Sequence, residues 1–332
     1  TYTGKETKMK RTNLTAGVYS ASAISTLETC EQKAYLQYEE GWELKTTSNS
    51  LKTGILMHDA QEMYMLGHNE QAVINSIEQE AESRGWTEDK LFLPKLRSYI
   101  RGYYERWEAE DAESFTNGLE VLSVEDDFEF KLDLSKLGWP GDSATFVGRT
   151  DAVLLDKKND CIILMEHKNV SSRECQDPAS VFWQSLIMNN QLTIYSAMLE
   201  EKYQKPVIVW YDVMQTSPMS KPKLIKKVRE TIEEFEERLT ATYKNREENK
   251  YIRKTIPILN NPKERRMKEI IEIATNSQSR FYHGKARRNT QSCKNYGGCE
   301  FFNVCVGTEL IHESPRFQKK EHFKPKEKND IP

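Results

Sequence analysis

The sequence predicts an α/β protein in which helices flank a mixed β-sheet. In its first third, apolar residues recur at helical spacing, whereas from Val121 onward they alternate with polar residues or form short continuous runs, a pattern typical of strands. A long helical stretch, 178–201, separates the last two predicted strands. Because strands joined through a helix are typically parallel with a right-handed crossover, we expect mixed strand directions in the sheet.

The same periodicities place the individual elements. Ser20 or Ser22 is positioned to cap one or two short helices that reach Tyr38. Segment 228–243 carries the apolar stripe of an amphipathic helix, whereas Ser314–Pro332 is rich in Lys and Pro, lacks periodicity and is expected to be a loose tail. The other predicted elements are helices at 54–66, 73–84 and 91–109 and strands at 121–124, 128–132, 145–155, 161–166 and 207–214.

Composition narrows the class of protein. The 332 residues are 37% hydrophobic, enough for a sizeable core. No run approaches the roughly 18 apolar residues that span a bilayer, and the first thirty residues are too polar for a secretory signal. We therefore expect no membrane association and a cytoplasmic location. Because the sequence begins at Thr1, its targeting is only weakly constrained.

The charge distribution leaves nucleic-acid binding open. The net charge of −3 lacks the basic excess that is usual for phosphate-binding proteins. However, segment 108–130 has nine acidic residues and no Lys or Arg, whereas segment 280–328 has eleven basic residues against five acidic ones. A solvated acidic face and a loose basic tail would explain the same pattern.

The central motif is a pair of carboxylates at predicted strand ends. Gly148-Arg149-Thr150-Asp151 ends one strand, and Glu166-His167-Lys168 ends the next. A short turn between these strands would bring Asp151 and Glu166 side by side, an arrangement that suits Mg²⁺ or Mn²⁺. Strand alternation would put Lys168 on the same face as Glu166, where it could orient a water for phosphodiester hydrolysis. Alone, such a motif arises readily by chance in a chain with 30% charged residues.

Three further residues fall where this chemistry would need them. His58, on a predicted helix, could supply a metal ligand, since imidazole binds Mn²⁺. Gln191 and Tyr195 are four residues apart on the crossover helix and share a face, from which they could bind the phosphate or the water. Taken alone, His58 would more often have a structural role, and Gln191 and Tyr195 would more often lie on an ordinary helix surface.

Together the motifs resemble the RecB-like nucleases of the PD-(D/E)XK superfamily, over 20–305. The resemblance rests on the order Gly-x-x-x-His, Gly-Arg-x-Asp, Glu-x-Lys and Gln-x-x-x-Tyr, with Thr150 in place of a common aliphatic residue. It implies a restriction-endonuclease-like mixed-sheet core and a Mg²⁺- or Mn²⁺-dependent deoxyribonuclease. Glu129 is a candidate for an additional acidic residue near the site. The resemblance assigns Asp151, Glu166, the His167 carbonyl and His58 as metal ligands, Lys168 as the catalytic lysine, and Gln191 and Tyr195 as supporting residues.

The cysteines form a second constellation. Cys293, Cys299 and Cys305 follow the pattern C-x5-C-x5-C, and Cys30 lies near the other end of the chain. Four thiolates could hold a tetrahedral zinc or a 4Fe-4S cluster, although the short C-x2-4-C hairpins usual for zinc are absent. This arrangement, with one cysteine near the N-terminus and three near the C-terminus, resembles that of the iron-sulfur branch of the same family. That branch includes AddAB-type helicase-nucleases and CRISPR-associated RecB-like nucleases. That resemblance implies a structural 4Fe-4S cluster, with Cys161 and Cys175 left as free thiols.

The resemblance also predicts the function and the organisation of the chain. It implies an exonuclease that cuts single-stranded DNA or DNA ends, with 5'-to-3' polarity favoured, in recombination, replication or repair, in a bacterial or phage-infected cell. Because the sequence has no Walker A pattern, a helicase or recombination protein would be a separate partner. The alternatives are a subunit that binds single-stranded DNA without cutting it and a zinc-stapled scaffold. The predicted regions are a helical N-terminal region with the first cluster cysteine (1–110), the nuclease core (111–250), an iron-sulfur region (251–312) and a basic flexible tail (313–332).

Overall fold

A computed structural model describes residues 12–134, 143–216, 221–225 and 228–320. The chain forms two compact units, each built from separate segments. The terminal unit comprises 1–47, 127–148 and 260–332, and the central unit comprises 48–126 and 149–259. The four-region division given above stays a prediction.

Helices and strands are numbered here in chain order. The α-helices are α1 (Ala21–Thr29), α2 (Glu31–Ala34), α3 (Asn49–Met65), α4 (Glu70–Ser83), α5 (Phe92–Thr116), α6 (Val181–Ser185), α7 (Asn190–Tyr203), α8 (Ile232–Lys244), α9 (Asn260–Tyr282) and α10 (Phe302–Cys305). The strands are β1 (Val18–Ser20), β2 (Trp42–Leu44), β3 (Leu119–Asp133), β4 (Ser143–Asp156), β5 (Cys161–Val170), β6 (Val207–Gln215), β7 (Leu224–Ile225), β8 (Val228–Arg229), β9 (Tyr251–Ile256) and β10 (Phe317–Lys319). Short π and 3₁₀ segments lie at Tyr35–Glu39, Arg173–Gln176, Leu186–Met188, Arg246–Glu248 and Thr290–Gly297.

The sheet of the central unit has the predicted mixed directions. Its strands follow the order β4-β5-β6-β9, and β3 also pairs with β4. The β4–β5 and β6–β9 pairs are antiparallel, whereas β5 and β6, which are joined through α7, run parallel. The predicted α/β fold with a mixed sheet and flanking helices is therefore confirmed.

Helices α3, α4, α5 and α8 bury a common apolar core in the central unit. The Ser48 side chain caps α3 by accepting from the Leu51 N–H, so this helix begins at Asn49 rather than at Gly54. A reciprocal capping box, Thr231 with Glu234, starts α8. Gly102 lies where a Cβ atom would come within 2.9 Å of the Tyr243 main chain, so its missing side chain permits close packing of α5 on α8.

The terminal unit joins segments that are far apart in sequence. Strand β1 pairs in parallel with the first residues of β4, and the Tyr19 hydroxyl donates to the Ala274 carbonyl of α9 at 2.9 Å. Strands β2 and β10 pair antiparallel over a small apolar core that includes buried Phe301 and Phe317. Part of the segment 314–332, which was predicted to be a loose tail, is therefore the ordered strand β10. Phe317 stabilises this strand because its side chain packs in the small apolar core. The remainder of that segment, 321–332, lies outside the described residues.

The helices predicted at 178–201 and 228–243 also differ in extent from the structure. The crossover stretch predicted as one helix is divided into α6, a 3₁₀ turn and α7, because Asn189 leaves helical geometry and caps α7 through the Leu192 N–H. Val228 lies in β8 rather than on the helix stripe, since the capping box at Thr231 starts α8 later. None of the described helices is long and apolar enough to cross a membrane.

Candidate functional site

Strands β4 and β5 place two carboxylates opposite each other in the central unit. Their antiparallel ladder pairs Asp156 with Cys161 and continues to Ala152 and Met165, so Asp151 and Glu166 are the next facing residues. Facing residues of an antiparallel pair project to the same side of the sheet. The turn that sets this register is closed by the Asp156 carboxylate, which accepts from two main-chain N–H groups at 2.9 and 3.0 Å.

Residues along β5 alternate between two environments. Glu166 is 3% exposed and its Oε2 accepts from Gln191 Nε2 of α7 at 2.5 Å. His167 is also buried, but its ring lies among those of His58 and Tyr103, at 6.4 Å between centroids. Lys168 is exposed, and its charge acts on both Glu166 and His58. The strand therefore presents Glu166 toward α7 and His167 toward α3 and α5.

Asp151 is held by contacts to both of its oxygens. Its Oδ2 accepts from the His167 main-chain N–H at 2.7 Å, and its Oδ1 lies 3.5 Å from His58 Nδ1. Helix α3 brings His58 to this position. The structure thus places the three predicted residues His58, Asp151 and Glu166 at one site.

Glu125 of β3 joins this site and was missed by the sequence reasoning, which named Glu129 instead. Ligand-type atoms of His58, Glu125 and Asp151 all lie within 4.8 Å of one another. Glu125 has a left-handed backbone, with φ of 47°, that interrupts the regular strand geometry. The available signal was the acidic run 125–127, which divides two apolar stretches of what the structure shows to be one strand.

Tyr195 of α7 supports β4, the strand that carries Asp151. It is 6% exposed, and its hydroxyl is hydrogen-bonded to the main chain of Arg149, two residues before Asp151. The Arg149 guanidinium lies 3.6 Å from the Glu125 carboxylate and is half exposed. Gln191 therefore contacts the Glu166 carboxylate, and Tyr195 contacts the main chain of β4. Both residues are placed to position parts of the site.

The concentration of acidic groups shifts their protonation. Burial and the Asp151 charge raise the pKa of Glu125 to about 7, and the same two causes raise the pKa of Glu166 well above its usual range. Burial alone would also raise the pKa of Asp151, but the contact with His58 and the nearby His167 lower it. Burial would lower the pKa of His58, yet Asp151 and Glu125 raise it. The raised pKa values of Glu125 and Glu166 indicate that nearby positive groups do not balance the negative charge of the carboxylates.

These residues fit a divalent cation. The Glu166 Oε1 atom is buried and has no hydrogen-bond partner in the described part of the chain, which is costly for an acceptor unless a ligand satisfies it. Carboxylate oxygens and one imidazole suit Mg²⁺ or Mn²⁺. In addition, a strand residue directs its N–H and C=O to the same edge, so the His167 carbonyl is directed to the edge of β5 at which its N–H binds Asp151.

The four candidate cluster cysteines all lie in the terminal unit. The Asn289 main-chain N–H donates to Cys30 Sγ at 3.4 Å, while its side chain donates to the Thr29 carbonyl at 2.8 Å. The Cys299 N–H donates to the Cys293 carbonyl at 3.0 Å. Burial raises the pKa of the Cys305 thiol, and Cys299, Cys30 and Cys293 are close enough to raise it further. Segments from both ends of the chain thus bring the four thiols into one neighbourhood.

The two remaining cysteines lie on other elements. Cys161 is buried on β5 and Cys175 is buried in a 3₁₀ turn, both in the central unit.

A family model described as the PD-(D/E)XK nuclease superfamily matches residues 18–305. A crystal structure from Eubacterium rectale, provisionally named an exonuclease, is similar with a TM-score of 0.49 and 13% identity, covering 89% of each chain. The search of curated proteins gives no match.

Proposed function

We propose a function from one premise: the chain belongs to the PD-(D/E)XK nuclease superfamily. We infer that it is a metal-dependent deoxyribonuclease that hydrolyses phosphodiester bonds. The observation that carries this proposal is the convergence of His58, Glu125 and Asp151, whose ligand-type atoms lie within 4.8 Å of one another. Glu166, at the strand position facing Asp151, adds a buried oxygen that has no hydrogen-bond partner among the described residues.

The side chains divide into ligands and supports. Asp151, Glu166 and the His167 carbonyl would hold Mg²⁺ or Mn²⁺, with His58 and Glu125 completing the site. A bound cation would supply Lewis-acid chemistry, activating water and offsetting charge on the scissile phosphate. Gln191 fixes the Glu166 carboxylate through its hydrogen bond, and Tyr195 fixes the strand that carries Asp151.

Lys168 has the exposure that a substrate-contacting residue needs. It lies at the end of β5, close enough to Glu166 to lower the pKa of that carboxyl against the effect of burial. A fixed ammonium at this place would orient the attacking water or offset charge that develops on the phosphate. We therefore assign Lys168 as the catalytic lysine.

We further propose that the enzyme is an exonuclease on single-stranded DNA or DNA ends, with 5'-to-3' polarity, in recombination, replication or repair. The order of the four motifs supports this finer assignment. Because the sequence contains no Walker A pattern, strand separation would depend on a partner helicase or recombination protein.

A 4Fe-4S cluster bound by Cys30, Cys293, Cys299 and Cys305 is the second part of the proposal. Its support is the shared neighbourhood of the four thiols. Asn289 adds a main-chain N–H to Cys30 Sγ, the kind of hydrogen bond that surrounds cluster thiolates. Since these cysteines lie in the terminal unit, we assign the cluster a structural role.

An assay on end-labelled DNA tests the nuclease proposal. Anaerobically purified protein is incubated with Mg²⁺ or Mn²⁺ and with single-stranded, blunt and overhang substrates labelled at either the 5' or the 3' end. We expect cleavage that EDTA abolishes, with products that shorten from the 5' end. Binding of single-stranded DNA without cleavage under any of these conditions would instead identify a non-cutting DNA-binding subunit.

A further inference from the structure

We propose that a buried chain of polar groups behind the site positions the His167 main chain for metal binding. This buried chain consists of His167, Asp212, Arg253 and Asp111, with Tyr103 attached to Asp212. The inference rests on the proposed function. None of these side chains except His167 belongs to the motifs of the sequence, and all lie in the central unit.

The first three members form a row across three strands. His167 of β5 pairs in register with Asp212 of β6, and Asp212 pairs with Arg253 of β9. Residues in register on neighbouring strands project to the same face. This row therefore lies on the face of the sheet that α3 and α5 cover, opposite to Glu166.

The contacts along the row are close. His167 Nδ1 lies 3.3 Å from Asp212 Oδ2, a charge contact whose angles fall outside hydrogen-bond geometry, and both side chains are at most 3% exposed. The same carboxylate oxygen accepts from the Tyr103 hydroxyl at 2.6 Å and from Arg253 Nη2 at 3.1 Å. Asp212 thus binds a helix residue and both neighbouring strands at once.

The chain is anchored at its far end by α5. Arg253 Nη1 donates to Asp111 Oδ1 at 2.5 Å, and its guanidinium lies 4.1 Å from the centre of the Trp107 ring. The Tyr64 hydroxyl donates to the other Asp111 oxygen at 2.9 Å. Each carboxylate in the chain therefore has several donors, and the guanidinium is held on both of its terminal nitrogens.

Burying two carboxylates and a guanidinium is a poor way to gain stability. Removing each ion from water costs several kcal/mol, and apolar side chains of similar volume often serve a core as well or better. A buried polar network can instead fix the position of a neighbouring residue. It does this better than apolar packing because its directional contacts favour one geometry.

The place where the chain ends indicates what it positions. Its last member is His167, whose main-chain N–H holds Asp151 at 2.7 Å and whose carbonyl faces the same edge of the strand. We infer that the buried contact between Asp212 and the imidazole ring limits rotation of β5 about its axis. Such rotation would move the His167 carbonyl and, on the opposite face, the Glu166 carboxylate together. Residues behind metal ligands commonly change metal affinity by about 10- to 100-fold when replaced.

Mn²⁺ binding to the DNA-free protein tests this role without depending on cleavage. The dissociation constant is measured from the electron paramagnetic resonance signal of free Mn²⁺, and the melting temperature is recorded for each variant. Asp212→Asn keeps the shape of the side chain but removes its charge, so we expect about tenfold weaker binding. Tyr103→Phe removes one hydroxyl from Asp212 and provides a milder variant, for which we expect about threefold weaker binding if Asp212→Asn does not fold.

Glu236→Gln is the matched control. Glu236 also forms hydrogen-bonded ion pairs in the central unit, with Arg97 and with Arg101 at 2.6 Å, but it has no contact with β5 among the described interactions. This variant should lower the melting temperature and leave the Mn²⁺ dissociation constant unchanged.

The outcomes separate the two proposals. Wild-type affinity in folded Asp212→Asn or in Tyr103→Phe would overturn the positioning role while leaving the nuclease proposal intact. An equal loss of affinity in Glu236→Gln would also overturn it, since any destabilisation would then act in the same way. Wild-type protein that binds no Mn²⁺ would overturn the proposed function and the positioning role together.

Discussion

The carboxylate site and the cysteine region assemble their functional groups in different ways. In the central unit, one antiparallel hairpin sets Asp151 and Glu166 opposite each other through main-chain register. In the terminal unit, Cys30 and the three later cysteines are brought together from opposite ends of the chain by short helices and turns. The first arrangement is local and supported by a sheet, whereas the second closes a very long loop.

This difference predicts different consequences of losing one residue. The ligands of the carboxylate site repel one another, so replacing one of them should impair chemistry while costing little stability. The cysteines would gain their geometry from a cluster, and metal binding that orders a site contributes directly to folding. Substitutions in the two regions should therefore separate activity from stability.

The largest expected effect is on cleavage. Asp151→Asn and Lys168→Ala should each lower the rate of DNA cleavage by at least about 100-fold, because one removes a metal ligand and the other the catalytic ammonium. Lys157→Ala, at the exposed end of the same hairpin, is the control and should cleave at the wild-type rate. Initial rates on end-labelled DNA provide the comparison. Activity within about tenfold of wild type in either variant would remove that residue from the mechanism.

The second effect concerns stability and colour. Cys30→Ser should abolish absorbance near 400 nm and lower the melting temperature by about 4 °C, as expected for loss of about 3 kcal/mol in a protein of this size. Cys175→Ser is the control, since Cys175 is buried in the other unit. Visible spectra, iron content and thermal melts of both variants would test this. Full iron content in Cys30→Ser would exclude Cys30 as a ligand.

The third effect is a dependence of stability on pH in metal-free protein. The pKa of Glu125 is raised from 4.5 to about 7 by burial and by Asp151, so the folded protein binds more protons than the unfolded chain within that range. Stability should therefore fall as pH rises from 4.5 to about 7. The full shift corresponds to about 3 kcal/mol, and solvent screening of this partly exposed carboxyl reduces the expected loss to about 2 kcal/mol or less. The raised pKa values of Glu166 and His58 act in the same direction.

Glu125→Gln should flatten this pH dependence, and addition of Mn²⁺ to wild type should reverse it. Glu129→Gln serves as the matched control because Glu129 lies on the same strand and is exposed. Chemical denaturation at several pH values gives the unfolding free energy for each protein. An unchanged slope in Glu125→Gln would show that this carboxyl does not share the field of Asp151.

The smallest effect belongs to His58. Its imidazole lies at 3.5 Å from Asp151 and is one of several ligand-type groups, so water can partly replace it. His58→Ala should raise the metal concentration at half-maximal cleavage by about tenfold. The control is His68→Ala, just beyond the end of the same helix. An unchanged metal requirement and maximal rate in His58→Ala would assign this histidine a structural role.

The parts of the fold that were predictable carry strong local signals. β4, β5 and β6 have clear apolar patterns, and their predicted extents lie within the observed strands. β9 was missed because its sequence carries Arg253 and Lys254, and the ionic partners that let Arg253 be buried lie on other elements. Strand β10 is three residues long and depends on β2, which is distant in sequence.

The site shows the same division between local and distant information. Asp151, Glu166 and Lys168 follow from motifs on one hairpin, and the structure places His58, Gln191 and Tyr195 around them. Glu125 could not be chosen over Glu129 because strand register and its left-handed backbone conformation depend on the folded sheet. Asp212 carries no motif, and its role depends on the register of β6 with β5.

The most direct test of the central claim is to locate Mn²⁺ by anomalous X-ray diffraction. Crystals of the protein are soaked at a Mn²⁺ concentration that supports cleavage, with Asp151→Asn crystals soaked in parallel. We predict an anomalous peak bounded by Asp151, Glu166 and the His167 carbonyl in wild type, and its loss in Asp151→Asn. No peak between these residues in wild-type crystals, or an equal peak in the variant, would contradict the assignment of this site as the metal centre of a nuclease.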